Sequence, residues 1–382
     1  MDSPKKEITI ASAVPINNGD AALVFSLENS LIEKDFIINI STFHYDLVKN
    51  LYPEKKLVKE ITDYYFFKKA PQLKPVAIKL LFPFKNEYKD SIAMISAPGG
   101  YINSYYGFHH ILELLKKAKQ AGKATGIYSQ SVGPLNIKDS NLLLNYSQYI
   151  DHIFVRDTFS DQQLKTIKYP GNKFTLVEDG AFLIKPILNK FNSNKIAVSV
   201  RGWKHDNRNK YVYYKLVASL VESAVNNGFD VEFISTCQGV EGYVNDSIIA
   251  KEIYKNLPKK IKSKCSIDDN YYNYSSFFNK IGDYKIVIGT RLHMCILSLL
   301  RGIPAFNISY EIKGKECYKY LEIPELSIDY NEQNENAVKK FNAFLENIDL
   351  YKTKIQSTVL KQHESAKKHF ELFLRKLKLT DY

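Results

Sequence analysis

Hydrophobic positions along this chain fall into two alternating patterns. Short β-rich runs alternate with helix-length amphipathic stretches, an order typical of parallel sheets wrapped by helices. The pattern predicts strands at 8–14, 36–40, 91–96, 124–128, 152–155, 195–200, 231–235, 284–288 and 305–308. It predicts helices at 21–33, 108–121, 211–226, 245–256, 292–300 and 350–378.

The strand–helix series loses its periodicity between residues 179 and 194, around Pro186. A chain of 382 residues is also long for one hydrophobic core. We therefore predict two doubly wound α/β domains, 1–185 and 195–345, facing a cleft. The helix at 350–378 is expected to pack back on the first domain. Residues 52–87 show no clean period and are expected to form an inserted lid or packing segment.

Composition narrows the function classes. The formal charge of +12 favours an anionic partner, which could be phosphate, nucleic acid or membrane, unless the lysines are simply solvated. No helix-turn-helix, zinc or RRM signature appears, so nucleic acid is not the expected partner. The four cysteines form no CxxC pair, which argues against a metal site or a disulfide framework. No apolar run reaches the length of a signal peptide or a membrane span, so we expect a cytoplasmic protein.

The strongest local motif, Gly289-Thr290-Arg291-Leu292-His293, directly follows a predicted strand and opens a helix. The helix N-terminus favours an anion, and Arg291 can hold a carboxylate or phosphate through two parallel hydrogen bonds. His293 can exchange a proton near neutral pH. In the alternative interpretation Thr290 caps the helix and the two charged residues are solvated.

Further cations follow other predicted strands, namely Arg156, Arg201 and Lys313. Ligands of open α/β sheets bind beyond the carboxyl ends of the strands. The convergence therefore indicates a small, dense anion, although Arg156 could instead form a structural ion pair with Asp157. Trp203 and His205 could line an acceptor site.

Several common motifs are absent. There is no P-loop, no GxGxxG in a βα turn, no GxSxG and no HExxH. No carboxylates have metal-site spacing, so we predict no obligatory metal. Proton transfer together with clamping by cations needs no redox cofactor, so none is predicted.

An ordered set of short motifs resembles the polysaccharide pyruvyl transferase family and spans residues 8 to 315. The matching segments are Asn18-Gly19-Asp20, Ala97-Pro98-Gly99-Gly100, Gln130-Ser131-Val132-Gly133-Pro134, Val155-Arg156-Asp157 with Ser160, Asp179-Gly180-Ala181-Phe182-Leu183, Val198-Ser199-Val200-Arg201, Arg291-Leu292-His293, Gly302-Ile303-Pro304 and Tyr310-Glu311-Ile312-Lys313. Tyr101 stands where the family often has a third glycine, and Gly180 replaces a frequent proline.

The resemblance implies a fold similar to GT-B glycosyltransferases, with the acceptor on the first domain and phosphoenolpyruvate on the second. It implies ketal transfer of pyruvate to a sugar hydroxyl pair during capsule or exopolysaccharide synthesis. His293 would be the general acid, and Arg201, Arg291 and Lys313 the clamp. The remaining substrate contacts implied by the resemblance are Arg156, Asp20, Gly99 and Gly100.

Two alternatives stay open at this stage. One is a GT-B-type glycosyltransferase that uses a nucleotide sugar. The other concerns the acceptor, which could be lipid-linked or a soluble glycan. Between residues 352 and 378 eight basic residues oppose only Glu364 and Glu371, so peripheral contact with anionic lipid is also predicted.

Overall fold

A computed structural model describes residues 5–188, 193–202 and 209–380, except for the side chain of Lys68. The strands are β1 (Glu7–Ala13), β2 (Ile37–Thr42), β3 (Leu57–Lys59), β4 (Ala93–Ser96), β5 (Gly99–Ile102), β6 (Ala124–Val132), β7 (His152–Val155), β8 (Phe174–Leu176), β9 (Lys195–Ser199), β10 (Asp230–Phe233), β11 (Cys265–Ile267), β12 (Ile286–Gly289), β13 (Ala305–Ser309) and β14 (Ser327–Asp329). The α-helices are α1 (Asn18–Ile32), α2 (Tyr45–Leu51), α3 (Tyr65–Lys69), α4 (Lys74–Leu81), α5 (Asn86–Asp90), α6 (His109–Gln120), α7 (Ile137–Tyr146), α8 (Thr158–Thr166), α9 (Lys210–Asn226), α10 (Ser247–Asn256), α11 (Lys259–Lys262), α12 (Tyr274–Ile281), α13 (Leu292–Leu300), α14 (Ile312–Tyr320), α15 (Asn334–Glu346) and α16 (Ile348–Lys376).

The described chain divides into two compact units. Unit 1 takes in the described residues of Met1–Pro15, Asp20–Leu183 and Glu364–Tyr382, and unit 2 those of Ile16–Gly19 and Ile184–His363. The sequence placed the division between residues 185 and 195. It also placed the whole C-terminal helix on the first domain, whereas the half of α16 that ends at His363 lies with unit 2.

Unit 1 is built on a parallel sheet with the strand order β3-β2-β1-β4-β6-β7-β8, and β5 pairs with β6 beside this path. The chain moves outward from β1 to β2 in one direction and returns to β4 on the other side. The order of the strands therefore reverses between β1 and β4, which makes that point the expected ligand position of this sheet.

The second half of α16 covers one face of the unit 1 sheet. The Phe373 ring lies 5.0 Å from the Tyr128 ring and 5.1 Å from the Phe154 ring, measured between centroids. Gly126 on β6 makes this packing possible, because a Cβ there would lie 2.6 Å from Phe373 Cζ. These apolar contacts explain the stripe of apolar positions in the C-terminal helix.

Unit 2 repeats the same design with the order β11-β10-β9-β12-β13-β14, again with parallel pairing. Its strand order reverses between β9 and β12. The central strands β9, β12 and β13 are short and almost fully buried, which explains their near-continuous apolar runs. The predicted class, two doubly wound Rossmann-like α/β domains with a long C-terminal helix, is confirmed. Among the described helices, none is both long enough and apolar enough to cross a membrane.

Three local bounds differ from the prediction. The chain after the strand predicted at 91–96 forms a further strand, β5, because the backbone from Gly99 to Ile102 pairs with β6. The strand predicted at 124–128 continues to Val132. The helix predicted at 21–33 begins earlier, since α1 starts at Asn18 and Asp20 lies in its first turn.

Candidate active site

The carboxyl edge of the unit 2 sheet carries the three predicted clamp residues and the candidate acid. Arg201 follows β9 by two residues, and Arg291 follows β12 by two residues. These strands are neighbours and flank the reversal in strand order. Loops diverge at such a reversal, so a crevice for a ligand is expected there.

Arg291 is fixed by a carboxylate that the sequence analysis did not single out. Its Nε donates to Asp246 Oδ2 at 2.7 Å, and the two side chains are 14% and 3% exposed. Burial disfavours the guanidinium charge, but the charge of Asp246 and its hydrogen bond outweigh burial and raise the pKa of Arg291 above its ordinary value. Asp246 Oδ2 also accepts a hydrogen bond from Ser235 Oγ at 3.1 Å. Arg291 is therefore a permanent cation held in one orientation.

Arg201 and Lys313 meet the loop that follows β13. Arg201 Nη1 donates to the Tyr310 hydroxyl, and its guanidinium carbon lies 4.6 Å from the centre of the Tyr310 ring. Lys313 Nζ lies 2.6 Å from Glu311 Oε2. Burial alone would raise the pKa of Glu311, yet the charges of Lys313 and Arg201 hold it below its usual range. Both cations therefore act on the same carboxylate.

Thr290 has a different role from the helix cap considered in the sequence analysis. Arg291 occupies the N-cap position of α13 and makes no side-chain capping bond. The Thr290 hydroxyl instead shares a 2.7 Å hydrogen bond with the Tyr213 hydroxyl, and the Tyr213 ring stacks on Tyr330 at 4.2 Å. The Tyr213 hydroxyl also accepts a hydrogen bond from the backbone N–H of Arg201 at 3.2 Å. Tyr213 thus ties the two loops on either side of the reversal together.

His293 lies in the first turn of α13 and is partly exposed. The segment Ile16–Gly19 belongs to this unit and packs on it: Asn18 N donates to Thr236 O at 2.8 Å, and Asn18 Nδ2 donates to Tyr272 O at 3.0 Å. A Cβ at Gly19 would lie 2.8 Å from both Cβ and Nδ1 of His293. Within the Asn18-Gly19-Asp20 motif, Gly19 therefore lies directly against the candidate acid.

Arg156 lies in unit 1 within a buried polar network. Its Nη1 donates to Asp179 Oδ2 at 2.8 Å and its Nε donates to Ser131 Oγ at 2.9 Å. The Arg156 and Asp179 side chains are each 4% exposed. The sequence analysis considered an ion pair between Arg156 and Asp157. The partner of Arg156 is Asp179 instead. Asp157 caps α8, where its carboxylate accepts a hydrogen bond from Ser160 N at 2.8 Å.

The other predicted substrate residues also lie in unit 1. A Cβ at Gly100 would lie 3.8 Å from Arg156 Nη2, so Gly100 borders the Arg156 network. A Cβ at Gly99 would lie 2.4 Å from the Tyr101 ring, and the φ of Gly99 is 156°. Asp20 is partly exposed in the first turn of α1.

Two further predictions concern metals and an acceptor site. Among the residues that the structure describes, no group of three or more His, Cys, Asp or Glu side chains could hold a metal ion. Trp203 and His205 lie outside the described residues.

Comparison with known proteins identifies the family. A sequence model described as Polysaccharide pyruvyl transferase matches residues 17–312, well over half of the chain. The chain belongs to the polysaccharide pyruvyl transferase family. The match takes in Gly19, Arg201, Arg291 and His293 and ends one residue before Lys313.

A curated relative supports the same family. The amylovoran biosynthesis protein AmsJ of Erwinia amylovora is 25% identical over 289 residues, which cover 70% of this chain and 68% of AmsJ. That relative is named for its part in amylovoran biosynthesis.

Solved structures resemble this pyruvyl transferase family member in fold. A glycosyltransferase from Rickettsia africae matches with a TM-score of 0.66 at 13% identity, covering 99% of this chain and 100% of the other. MnaA from S. aureus, solved with UDP, matches with a TM-score of 0.62 at 12% identity, covering 99% and 98%. At these identities the likeness shows a GT-B-like fold alone.

Two polar residues of this family member escaped the sequence analysis as site candidates. Asp246 precedes an ordinary amphipathic helix, and nothing in its neighbourhood indicates that it binds Arg291. Gln130 is fully buried, and neither its amide nitrogen nor its amide oxygen has a hydrogen-bond partner among the described residues. The sequence could have indicated Gln130, because the side-chain amide of a glutamine near the end of a buried strand needs hydrogen-bond partners.

Proposed function

We propose that this chain transfers pyruvate from phosphoenolpyruvate to two hydroxyls of one sugar, forming a cyclic ketal. Family membership and the similarity to AmsJ, an amylovoran biosynthesis protein, support the coarse assignment. The observation that carries the proposal is the grouping in unit 2 of Arg201, Arg291 and Lys313 with His293 at the carboxyl edge of one parallel sheet. Phosphoenolpyruvate carries a carboxylate and a phosphate on a three-carbon frame, which matches several cations and one proton donor.

The reaction starts with proton transfer. His293 protonates the methylene carbon of phosphoenolpyruvate, and the adjacent carbon becomes an oxocarbenium-like electrophile. One sugar hydroxyl adds to that carbon and loses its proton. A positioned acid of this kind contributes ~10²–10⁴-fold to the rate. Gly19 supports the step, because its lack of a side chain lets the backbone pack against the imidazole.

The second half of the reaction expels phosphate. The bond from the central carbon to the phosphate oxygen breaks, the second sugar hydroxyl bonds to that carbon, and its proton is released. The methylene carbon gains one proton and the two sugar hydroxyls lose one each. The remaining proton goes to the released phosphate, so the products are hydrogen phosphate and a ketal carboxylate.

Charge stabilisation is the task of the cations. Three cations lie at this edge, namely Arg201, Arg291 and Lys313. The nearby carboxylates are Asp246 and Glu311, so the group keeps one net positive charge and favours an anion. Because Asp246 fixes Arg291 before the substrate arrives, little reorganisation is needed as charge moves to the phosphate. We propose that this clamp makes a metal or a cofactor unnecessary.

The proposed setting is the cytoplasm, where the acceptor could be a lipid-linked sugar or a soluble glycan. We also propose that α16 contacts anionic lipid. The helix presents less unpaired positive charge than the sequence suggests. Lys354 lies 3.7 Å from Glu325 and Lys361 lies 2.9 Å from Glu322, so part of the basic charge is already paired. Exposed pairs are weak and screened, so lipid headgroups could still compete for these lysines.

The decisive experiment is ligand binding to the purified chain. Thermal shift and calorimetry would compare phosphoenolpyruvate with UDP- and GDP-sugars. We expect stabilisation by phosphoenolpyruvate that Lys313→Ala weakens and Lys315→Ala preserves. Lys315 is a matched control, since it lies on the same helix and pairs with Asp329 at 2.6 Å. Stabilisation by a nucleotide sugar and not by phosphoenolpyruvate would overturn the proposal in favour of a glycosyltransferase.

A further inference from the structure

Helix α4 belongs to the segment 52–87, which the sequence analysis expected to form a lid or a packing insert. One face of this helix is packed in the protein. Ile78 and, one turn later, Phe82 are 0% and 4% exposed and share an apolar core with Ile111 of α6. Pro75 lies in the first turn of α4, where a backbone N–H has no partner within the helix. The inner face therefore fixes α4 on unit 1.

The opposite face of α4 is also apolar. The 3₁₀ turns Pro71–Leu73 and Phe82–Phe84 adjoin α4 at its two ends. Four exposed side chains follow one another at spacings of three, four and four residues, which places them on one side of a helix. They are Leu73, Val76, Leu80 and Phe84, exposed by 39%, 49%, 66% and 82%. A helix with apolar residues on both faces is usually covered on both, so the outer stripe marks a surface that binds something else.

The charge around this outer stripe has a single sign. Between Asp63 and Glu87 the sequence contains no acidic residue and five lysines, namely Lys68, Lys69, Lys74, Lys79 and Lys85. Lys69 and Lys79 are exposed. A lysine covers apolar surface with its aliphatic stem while its ammonium group reaches a polar phase. The pattern therefore fits a partner that offers apolar contact and negative charge together.

Aromatic rings are exposed on the preceding helix, α3, and just before it. Tyr64, Tyr65 and Phe66 are 53%, 71% and 59% exposed. An ammonium group lies over each tyrosine ring: Lys59 Nζ is 4.8 Å from the centre of the Tyr64 ring, and Lys69 Nζ is 5.0 Å from that of Tyr65. Tyrosine rings favour the headgroup level of a bilayer, because one end of the ring is apolar and the other is hydrated.

A second copy of this chain would fit the outer stripe less well than lipid does. In a two-fold interface the same patch meets itself, so the five lysines of one copy would face those of the other. Like charges placed opposite one another oppose such an interface. A bilayer with anionic headgroups instead offers opposite charge to the lysines and acyl chains to the apolar side chains. The charge pattern therefore favours lipid over self-association.

We propose that α4 and its two adjoining turns dock unit 1 on an anionic lipid bilayer. Leu80 and Phe84 enter the boundary between headgroups and acyl chains, and Lys79 contacts the headgroups. This surface differs from α16, whose apolar stripe packs on the unit 1 sheet and leaves only its charges for lipid. Docking through α4 goes beyond the proposed pyruvyl transfer and does not depend on it.

Vesicle flotation of the full chain tests the docking surface, with phosphatidylcholine alone and with about one third phosphatidylglycerol. We expect flotation with the anionic vesicles, part of it surviving about 0.5 M salt, because apolar insertion is not screened. Leu80→Ser with Phe84→Ser should weaken binding at least about tenfold, and Lys79→Gln about fivefold. Ile137→Ser and Lys138→Gln on α7 are matched controls that should bind as the wild type does, since Ile137 is 83% exposed and Lys138 is exposed beside it.

The depth of position 84 gives an independent readout. Phe84→Trp and Ile137→Trp each add one indole to that of Trp203, the single tryptophan of the chain. Vesicles of the anionic composition made with brominated phosphatidylcholine quench indoles that reach the acyl region. We expect more quenching in Phe84→Trp than in the wild type and no increase in Ile137→Trp. All variants should keep the melting temperature and the phosphoenolpyruvate affinity of the wild type in the absence of vesicles, because the substituted side chains are exposed.

Three results would overturn the proposal: no flotation with anionic vesicles, equal flotation with both compositions, or no extra quenching in Phe84→Trp. Sedimentation without lipid examines the second copy. A dimer of the wild type that Leu80→Ser with Phe84→Ser dissociates would assign the stripe to self-association and also refute docking on lipid. Flotation and quenching as expected, without any phosphoenolpyruvate binding, would instead refute the proposed donor and leave the docking surface intact.

Discussion

The backbone of Gly19 packs directly against the imidazole of His293. A Cβ at position 19 would lie 2.8 Å from Nδ1 and 2.8 Å from Cβ of His293, closer than such atoms can approach. Because Cβ of His293 is fixed to the first turn of α13, the histidine could not escape by a rotamer change alone. The glycine in the Asn18-Gly19-Asp20 motif thus has a steric reason that involves the candidate acid.

Gly19→Ala should therefore displace His293 and lower kcat by about a hundredfold, since a shift of about 1 Å can cost that much. Phosphoenolpyruvate affinity should change little, because the clamp residues are untouched. Steady-state kinetics and calorimetry measure the two effects. Gly171→Ala is the control, as nothing lies within 4 Å of a Cβ there. Wild-type kcat in Gly19→Ala would show that the position of His293 is not critical.

His293→Ala should lower kcat by at least about a hundredfold while phosphoenolpyruvate still binds. The reason is that an acid acts on the transition state, whereas the cations provide ground-state affinity. Rapid-quench measurement of phosphate release would check it. Turnover close to that of the wild type would remove His293 from the mechanism.

Arg201→Ala, Arg291→Ala and Lys313→Ala should each weaken phosphoenolpyruvate binding by about 1.5–3 kcal/mol, as for hydrogen bonds to a charged group. Arg291→Lys should restore activity only in part, because an ammonium cannot make two parallel hydrogen bonds. Calorimetry gives the affinities, with Lys315→Ala as reference. Unchanged donor affinity in all three alanine variants would place the donor elsewhere.

Arg156→Ala should destabilise the fold by about 3–5 kcal/mol, because it leaves the buried carboxylate of Asp179 without its cation. The sequence interpretation allowed either a substrate contact or an ion pair with Asp157, and the observed partner makes loss of stability the first expectation. Urea unfolding measures it. A variant as stable as the wild type would mean that Asp179 finds another partner or becomes protonated.

The extent to which the sequence predicted this molecule depends on how local each signal is. The strand at His152–Val155 and the helix at Leu292–Leu300 match the predicted bounds, because both are almost wholly buried and therefore stand out as continuous apolar runs. Asp246 pairs with Arg291 across 45 residues, and no local pattern encodes such a pairing. Residues 52–87 break into short helices and one short strand, too brief for any period to appear.

A pH-sensitive contact joins α16 to the segment that follows β8 in unit 1. His369 Nδ1 lies 2.7 Å from Glu178 Oε2, and the Ser365 hydroxyl also donates to Glu178. The hydrogen bond to Glu178 raises the pKa of His369, although burial opposes it. Burial would raise the pKa of Glu178, but the bonds from His369 and Ser365 lower it by more.

His369→Gln should therefore lower the melting temperature most where both partners are charged in the wild type. The raised pKa of His369 adds stability below its ordinary value of 6.5, and that stability is lost as pH rises through the folded-state pKa. The lowered pKa of Glu178 adds stability above its ordinary value of 4.5, and that stability is lost as pH falls through the folded-state pKa. The difference in Tm between wild type and His369→Gln should thus be largest from pH 4.5 to 6.5 and shrink on either side. Thermal unfolding across this range measures it, with His363→Gln on the same helix as control. A difference that grows above pH 7 would contradict a charged pair.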